Sequence, residues 1–230
     1  FLSTQTKEKI ESLKDEDEER WKVYARGLTG KISGLVFTNW LACDYIPADA
    51  RLVAAGLDFG FTVDQTGFVM VYKQDGELWV DEILYQTGLT NTDISDCLTE
   101  KRIGKKTDII ADSSEPKSIE ELRRQGWKIT GAKKGADSVN NSIDILKRYQ
   151  INVTRRSVNL REELSSYKWR TDRTGRTLNQ PVDTCNHLID PLRYVALNKL
   201  SSPKKTKRKS WLAPNPRIQS EWSIAAGLLT

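Results

Sequence analysis

Between Arg51 and Gln86 the chain carries three apolar runs in succession, and this block restricts the possible folds more than any other feature. Arg51–Asp58 is apolar and ends in an acid. Gly67–Lys73 and Glu77–Gln86 are rich in Val, Trp, Tyr, Met and Phe, and Gln74-Asp75-Gly76 between them is a tight-turn signal. Three consecutive antiparallel strands are expected. Beyond Gln86 helices and strands alternate. Thr90–Ile103 reads as a helix capped by Thr90 or Asn91, Thr107–Ala111 as a buried strand, and Pro116–Arg124 as a helix with Pro in its first turn. Trp127–Thr130 is a strand, Ser138–Tyr149 an amphipathic helix, Ile151–Thr154 a strand and Asn159–Tyr167 a helix. Lys168–Pro181 reads as a projecting hairpin and Thr184–Leu200 as a long helix. Three antiparallel strands followed by alternating helices and parallel strands make a mixed sheet with helices on both faces, an α/β class.

The flanks differ from this core. Residues 6–26 read as a charged helix, and 27–50 as an irregular linker or packing arm from an upstream domain. Residues 201–230 form a basic, Pro-containing tail with the block Lys204–Lys209, expected to be disordered in the isolated chain. The expected organisation is thus an arm over 1–50, a domain over 51–200 and a tail over 201–230. The chain opens on Phe1 with mid-protein sequence, so a piece of something longer is expected. A hydrophobic fraction of 38% with seven Trp is enough for a substantial core in 230 residues. Three well-separated cysteines (Cys43, Cys97 and Cys185) with no CxxC pair argue against a disulfide framework or a zinc site, and for a reducing compartment. No apolar run has the length of a bilayer span, and none reads as a signal peptide. The net charge of +5 permits a nucleic-acid partner without requiring one.

Three acids stand out by position. Asp58 ends the first strand, Asp112 ends a later buried strand, and Asp190 lies among Leu188, Ile189 and Leu192 in the last helix, where an acid is least expected. Strand ends on one edge of such a sheet are where α/β folds place ligands. Taken singly, an Asp after a strand is usually a turn or cap residue. Taken jointly, three carboxylates converging on one edge need protons or cations, and an oxygen-only cluster suits Mg²⁺ or Mn²⁺ rather than zinc. Two such ions about 4 Å apart activate a water and stabilise the leaving oxygen in phosphodiester hydrolysis.

The stretches Leu57-Asp58-Phe59-Gly60-Phe61, Ala111–Ile119 and Asn186–Tyr194 resemble the nuclease domain of large terminase subunits of tailed bacteriophages. The resemblance runs from about Arg51 to Leu200. It implies an RNase H-like fold and an endonuclease that cuts concatemeric viral double-stranded DNA during genome packaging. It implies a divalent metal site of two ions on Asp58, Asp112 and Asp190, assisted by His187, which stands where some members carry a His one turn before the third acid. It places the protein in the host cytoplasm at the procapsid portal. The implied partners are DNA, the portal protein, the small terminase subunit and an ATPase domain of the same polypeptide, with no membrane; the fragment alone is expected to be monomeric. No GxxxxGK[ST] loop occurs in these residues, so the motor is not among them. The family usually has Ala where this chain has Pro191, which bears on the local helix geometry.

Further readings concern individual acids and basic clusters. Asp64 is expected to support the metal site from outside, or to be a plain turn residue. Glu82 is left out of the site, and Glu115 is assigned to the helix start. Lys168, Arg170, Arg173 and Arg176 surround the hairpin with Trp169 and are expected to grip phosphates beside the cut. Lys133, Lys134, Arg123 and Arg124 are weaker basic pairs of the same kind. Two other readings stay open: a related RNase H-like nuclease such as a resolvase or transposase, and a catalytically silent DNA-gripping or portal-docking module.

Overall fold

The computed structural model describes residues 34–60, 63–172, 174–184 and 186–201. The helix expected over 6–26 and the tail beyond Ser201 lie outside them, as do Cys185 and Arg173.

Seven strands form one sheet. In chain order they are β1 (Trp40–Cys43), β2 (Arg51–Asp58), β3 (Gln65–Gln74), β4 (Glu77–Thr87), β5 (Ile109–Ala111), β6 (Ile129–Gly131) and β7 (Ile151–Thr154). In space they run β1-β7-β4-β3-β2-β5-β6. The pairs β2/β3 and β3/β4 are antiparallel and all others parallel, so β3 alone runs against the rest. The expected three-strand meander is there, and its turn uses Asp75 and Gly76 at φ values of 49° and 84°. That pair of left-handed residues matches the strand twist of a two-residue hairpin.

The helices are α1 (Asn91–Glu100), α2 (Pro116–Arg124), α3 (Ser138–Leu146), α4 (Val158–Ser166) and α5 (Ile189–Val195), the last continued by a π-helical turn over Ala196–Leu200. Alternate strand residues feed opposite faces. Ala54, Val69, Val71, Val80 and Ile110 pack with α3, α4 and α5. Ala55, Leu57, Phe68, Ile109 and Ala111 pack with α1, α2 and Trp127. Each face is a closed core, as a largely parallel sheet requires. The α1 start is a capping box: Thr90 Oγ1 accepts from Asp93 N–H, and Asp93 accepts from Thr90 N–H. The hairpin is β8 (Trp169–Thr171) with β9 (Thr177–Pro181), closed by Asp172, whose Oδ1 accepts from the N–H groups of Thr174 and Arg176.

Two expectations are corrected. The stretch expected to be irregular supplies β1, which pairs in parallel with β7. Just before it, Val36 and Phe37 are buried, and Phe37 stacks on Tyr167 with centroids 6.1 Å apart. Four residues are too few for a legible period. The long helix over Thr184–Leu200 is also shorter than expected. Its α-helical part starts at Ile189, because in a continuous helix the Pro191 ring would clash with the carbonyl of residue 187. Pro191 therefore sits in the first turn, where the missing N–H costs nothing.

Helix α5 lies against the backbone of β2 and β3. A Cβ on Gly56 would fall 2.2 Å from Pro191 O, and one on Gly67 would fall 2.0 Å from His187 O. Only glycine permits this approach. Overpacking of this kind costs about 1–3 kcal/mol. Gly67→Ala is expected to lower the melting temperature by about 2–10 °C, whereas Gly135→Ala, where a Cβ meets open space, leaves it unchanged; differential scanning calorimetry of the two variants checks this.

Candidate metal centre

The three acids gather at the end of the sheet where β2 and β5 finish. Asp58 is the last residue of β2, Asp112 follows β5, and Asp190 is in the first turn of α5. The parallel pairing of Ala55–Leu57 with Ile109–Ala111 brings the first two side by side. Tyr194, one turn after Asp190 on α5, reaches between them. Its hydroxyl lies 3.3 Å from Asp58 Oδ1 and 3.2 Å from Asp112 Oδ2.

Two cations face the acids. Lys134, in the loop after β6, donates to Asp112 Oδ1 at 2.6 Å and lies 4.7 Å over the Tyr194 ring. Arg193 is 7% exposed and donates to Asp190 Oδ1, to Ser142 Oγ at 3.2 Å and to Tyr167 Oη at 3.4 Å. Asn186 Nδ2 also donates to Asp190 Oδ1, at 3.2 Å. His187 lies in the turn before α5 rather than on the helix, and its Nδ1 is 3.9 Å from Asp58 Oδ2. Tyr85 packs against the His187 ring at a tilt, centroids 6.4 Å apart.

The carboxyls respond differently to this setting. Burial, followed by the charges of Asp190 and Asp112, pushes Asp58 up to about 7. Burial also raises Asp190, against the pull of Arg193 and Lys134. In Asp112 burial acts upward too, but the Lys134 hydrogen bond and the Ser114 N–H together hold it below the usual carboxylate range.

The donor set fits a hard divalent cation by chemistry. It offers carboxylate oxygens with no thiolate, at an open strand edge, where burial first and the neighbouring acids second hold a proton on Asp58. As the side chains stand, no group of three His, Cys, Asp or Glu among the described residues lies close enough to hold one ion. Lys134 engages Asp112 and Arg193 engages Asp190, so two of the three acids already have a cation.

The remaining expected residues lie around this centre or away from it. Asp64 is exposed between β2 and β3, and among the described residues no bond links it to the three acids. Glu82 accepts from Asn159 Nδ2 and from Leu160 N–H at 3.0 Å, so it caps α4. Glu115 accepts from Ser118 Oγ at 3.5 Å at the start of α2. Arg170 shares a cleft of about 480 Å³ with Lys134, Asp190 and Arg193. Arg176 is exposed at the hairpin turn, and Lys168 is bridged to Leu35 at the hairpin's base. Trp169 packs on the body with Lys147 Nζ 4.9 Å over its ring, so it is not a free stacking platform.

Sequence reasoning gave no role to Tyr194, Arg193 or Glu163, and ranked Lys134 low. The first two lie four and three residues after Asp190, a spacing that shares its helix face. Lys134 lies just past the end of a strand parallel to β5, on the ligand-bearing edge. Glu163 is 4% exposed, and its carboxyl is pushed up to about 8, by burial first.

Asp58 and Glu163 keep protons in the folded chain that the unfolded chain releases above about pH 4.5. Stability from both is therefore full below that value and falls as pH rises through 7 and 8. Asp112, held low, contributes a constant amount over that window. In EDTA the melting temperature is expected to fall between pH 5 and 8, and Asp58→Asn is expected to flatten the slope; thermal melts across this range check it.

Comparison with known proteins places these residues in a family. Residues 58–198 match the model of the terminase RNAseH like domain. The chain is 32% identical over 211 residues to the terminase large subunit of Bacillus phage SPP1, covering 85% of this chain and 49% of that protein. It is 26% identical over 208 residues to the PBSX phage terminase large subunit of Bacillus subtilis (strain 168), covering 85% and 47%. The chain thus spans about half the length of these relatives. Among solved structures, the large terminase nuclease domain of bacteriophage SPP1 with bound Mn superposes with a TM-score of 0.61 at 28% identity, covering 70% of this chain and 97% of that one. A mixed sheet with helices on both faces and three acids at one end agrees with the match, and this chain belongs to the terminase RNase H-like domain family.

Proposed function

We propose that this chain is a metal-dependent DNA endonuclease that cuts concatemeric viral double-stranded DNA during genome packaging. The observation that carries this is the convergence of Asp58 and Asp112 on one hydroxyl with Asp190 one turn away on the same helix. The SPP1 nuclease domain, solved with bound Mn, supports it.

Asp58, Asp112 and Asp190 would hold the metal, with two ions expected from the reaction type, and the bound metal would supply activation of the attacking water and neutralisation of charge on the leaving oxygen. The chain's own residues do the rest. Tyr194 spaces Asp58 from Asp112. Arg193 and Asn186 orient Asp190. His187, beside Asp58, positions the water or accepts its proton. Lys134 and Arg170 line the cleft that leads to Asp190 and offer positive charge to backbone phosphates. Arg176, with Lys168, extends that charge along the hairpin, and Arg173, outside the described residues, is expected to add to it. Asp64 acts from outside this set, as a distant support or a turn residue. Phosphate contacts carry no base readout, so low sequence preference is expected.

The family extends the reading to the whole protein. On this reading the body over 51–200 is the nuclease, the arm before it leads from an ATPase domain, and the tail after it is expected to meet assembly partners. The chain spans about half the length of its relatives, which leaves room for such a domain. In the intact motor the partners are the portal and the small terminase subunit, at the procapsid in the host cytoplasm. No helix among the described residues is long and apolar enough to cross a membrane.

Plasmid cleavage with Mn²⁺ or Mg²⁺, and none in EDTA, is expected from the 230-residue chain. Asp58→Asn, Asp112→Asn and Asp190→Asn are each expected to fall to the EDTA background while still binding DNA. Cleavage that survives in all three would sink the assignment; binding without cutting in any metal would favour a silent DNA-gripping module. Arg170→Ala with Arg176→Ala is expected to weaken DNA binding and to lower the salt slope by up to about 2. Unchanged affinity at low salt would remove the hairpin from the interface.

A further inference from the structure

The start of α5 has no local cap. Leu188 supplies no side-chain acceptor, and the next residues are Ile189, Asp190 and Pro191. Every helix start leaves backbone N–H groups without helical partners. Here each is accounted for. Asp190 N–H donates to Asn186 O at 2.8 Å, and Pro191 has no N–H. Leu188 N–H and Ile189 N–H both donate to Glu163 Oε2, at 2.9 and 3.0 Å. The cap comes from the α4 helix, 25 residues earlier in the chain.

Glu163 is an expensive residue for this place. It is almost wholly buried, and among the described residues no cation pairs with it. Its second oxygen, Oε1, is buried without a hydrogen-bond partner. Burying an unpaired polar atom opposes folding, so a purely stabilising cap is more simply made by Ser or Asp at position 188. What Glu163 adds is location. The two N–H groups it holds lie between His187 and Asp190, the two site residues that α5 and its lead-in turn deliver. Gly56 and Gly67 set how close this segment lies to the sheet. Glu163 sets where along the sheet it stops.

We propose that Glu163 is a positioning residue of the metal centre, holding the 187–190 segment so that Asp190 and His187 face Asp58. The proposal rests on the reading of Asp58, Asp112 and Asp190 as the metal ligands. Glu163 touches neither metal nor substrate. It acts through the backbone of α5, as outer partners of metal sites commonly act through the ligands.

The test is a calorimetric titration of Mn²⁺ alone onto the 230-residue chain, beside melting temperatures and the Mn²⁺ dependence of plasmid cleavage. Glu163→Met keeps the length but removes the acceptor. It is expected to raise the Mn²⁺ half-saturation about tenfold or more while leaving DNA affinity in EDTA unchanged. Glu163→Gln, whose single carbonyl oxygen can still accept both N–H groups, is expected to restore it to within about twofold. Glu163→Asp, which draws the acceptor back by one methylene, gives an intermediate value and serves if the Met variant does not fold. Thr90→Ala, which uncaps α1 on the other face, is expected to lower stability without moving the Mn²⁺ half-saturation. If Glu163→Met melts lower but binds Mn²⁺ as the unmutated chain does, Glu163 is only a cap and the proposal fails. It fails equally if Thr90→Ala shifts metal binding as much. Asp190→Asn in the same titration separates the two levels: a silent Asp190→Asn takes the proposal down together with the metal-centre reading, whereas a metal-blind Asp190→Asn beside a silent Glu163→Met overturns the role of Glu163 alone.

Discussion

Three carboxylates brought to one end of a sheet repel one another, and much of the local structure answers that repulsion. Two unit charges 4 Å apart cost about 4 kcal/mol at the effective dielectric of a protein surface. The chain meets this in three ways. Lys134 takes one oxygen of Asp112, Arg193 takes one of Asp190, and Asp58, without a close cation, keeps a proton up to about pH 7. The Tyr194 hydroxyl separates Asp58 from Asp112 while reaching both. The hydroxyl is itself harder to ionise here, by burial and then by the charges of Asp58, Asp190 and Asp112. It therefore remains a donor.

The acids are convergent only because a helix is pressed against bare backbone. Most helices that cover a sheet ride on a full layer of side chains. Helix α5 starts closer, since Gly56 and Gly67 present no Cβ where Pro191 O and His187 O arrive. Leu188 brings no side-chain acceptor to that start, and Glu163 supplies one from another helix. Pro191 belongs to the same solution. It shortens the helix, removes one N–H that would need a partner, and leaves His187 in a turn that points back toward Asp58. Each residue here departs from a local preference: an acid among apolar neighbours, a proline after it, a buried glutamate opposite. Such departures are expected at functional sites and are offset by packing elsewhere.

Legibility in the sequence followed the range of the interaction. The β3–β4 hairpin and the span of α2 were readable, because turn residues and helix starts act within a few positions. Asp58 and Asp112 were readable because an acid ending an apolar strand is itself a local pattern. The β1 strand was not: four residues gain their partner, β7, from more than a hundred positions away. Lys134 was visible only as one of several basic pairs, since its importance comes from β6 lying beside β5. Glu163 was hidden for the same reason. Nothing near it in sequence distinguishes a solvated helix glutamate from one buried against α5. The resemblance to terminase nucleases supplied the three acids together, but not the residues that hold them apart.

The charge balance of the site also bears on how metal enters it. Three carboxylates set against Lys134 and Arg193 leave one negative charge, and the proton on Asp58 cancels it. A divalent cation therefore meets a nearly neutral site, not an open negative one. To gain carboxylate oxygens it must displace the Asp58 proton and loosen the Lys134 contact with Asp112. The first cost falls as pH rises, and the second falls as a phosphate offers Lys134 another partner. On the proposed reading, metal affinity, proton release and DNA contact are linked through the same few atoms. Arg193 differs from Lys134 in this respect. It is buried and held by Ser142 and Tyr167 as well as Asp190, so it keeps Asp190 in place rather than yielding it. On that reading Lys134 would yield its acid while Arg193 stays, and the buried Arg193 belongs to the helix that Glu163 caps.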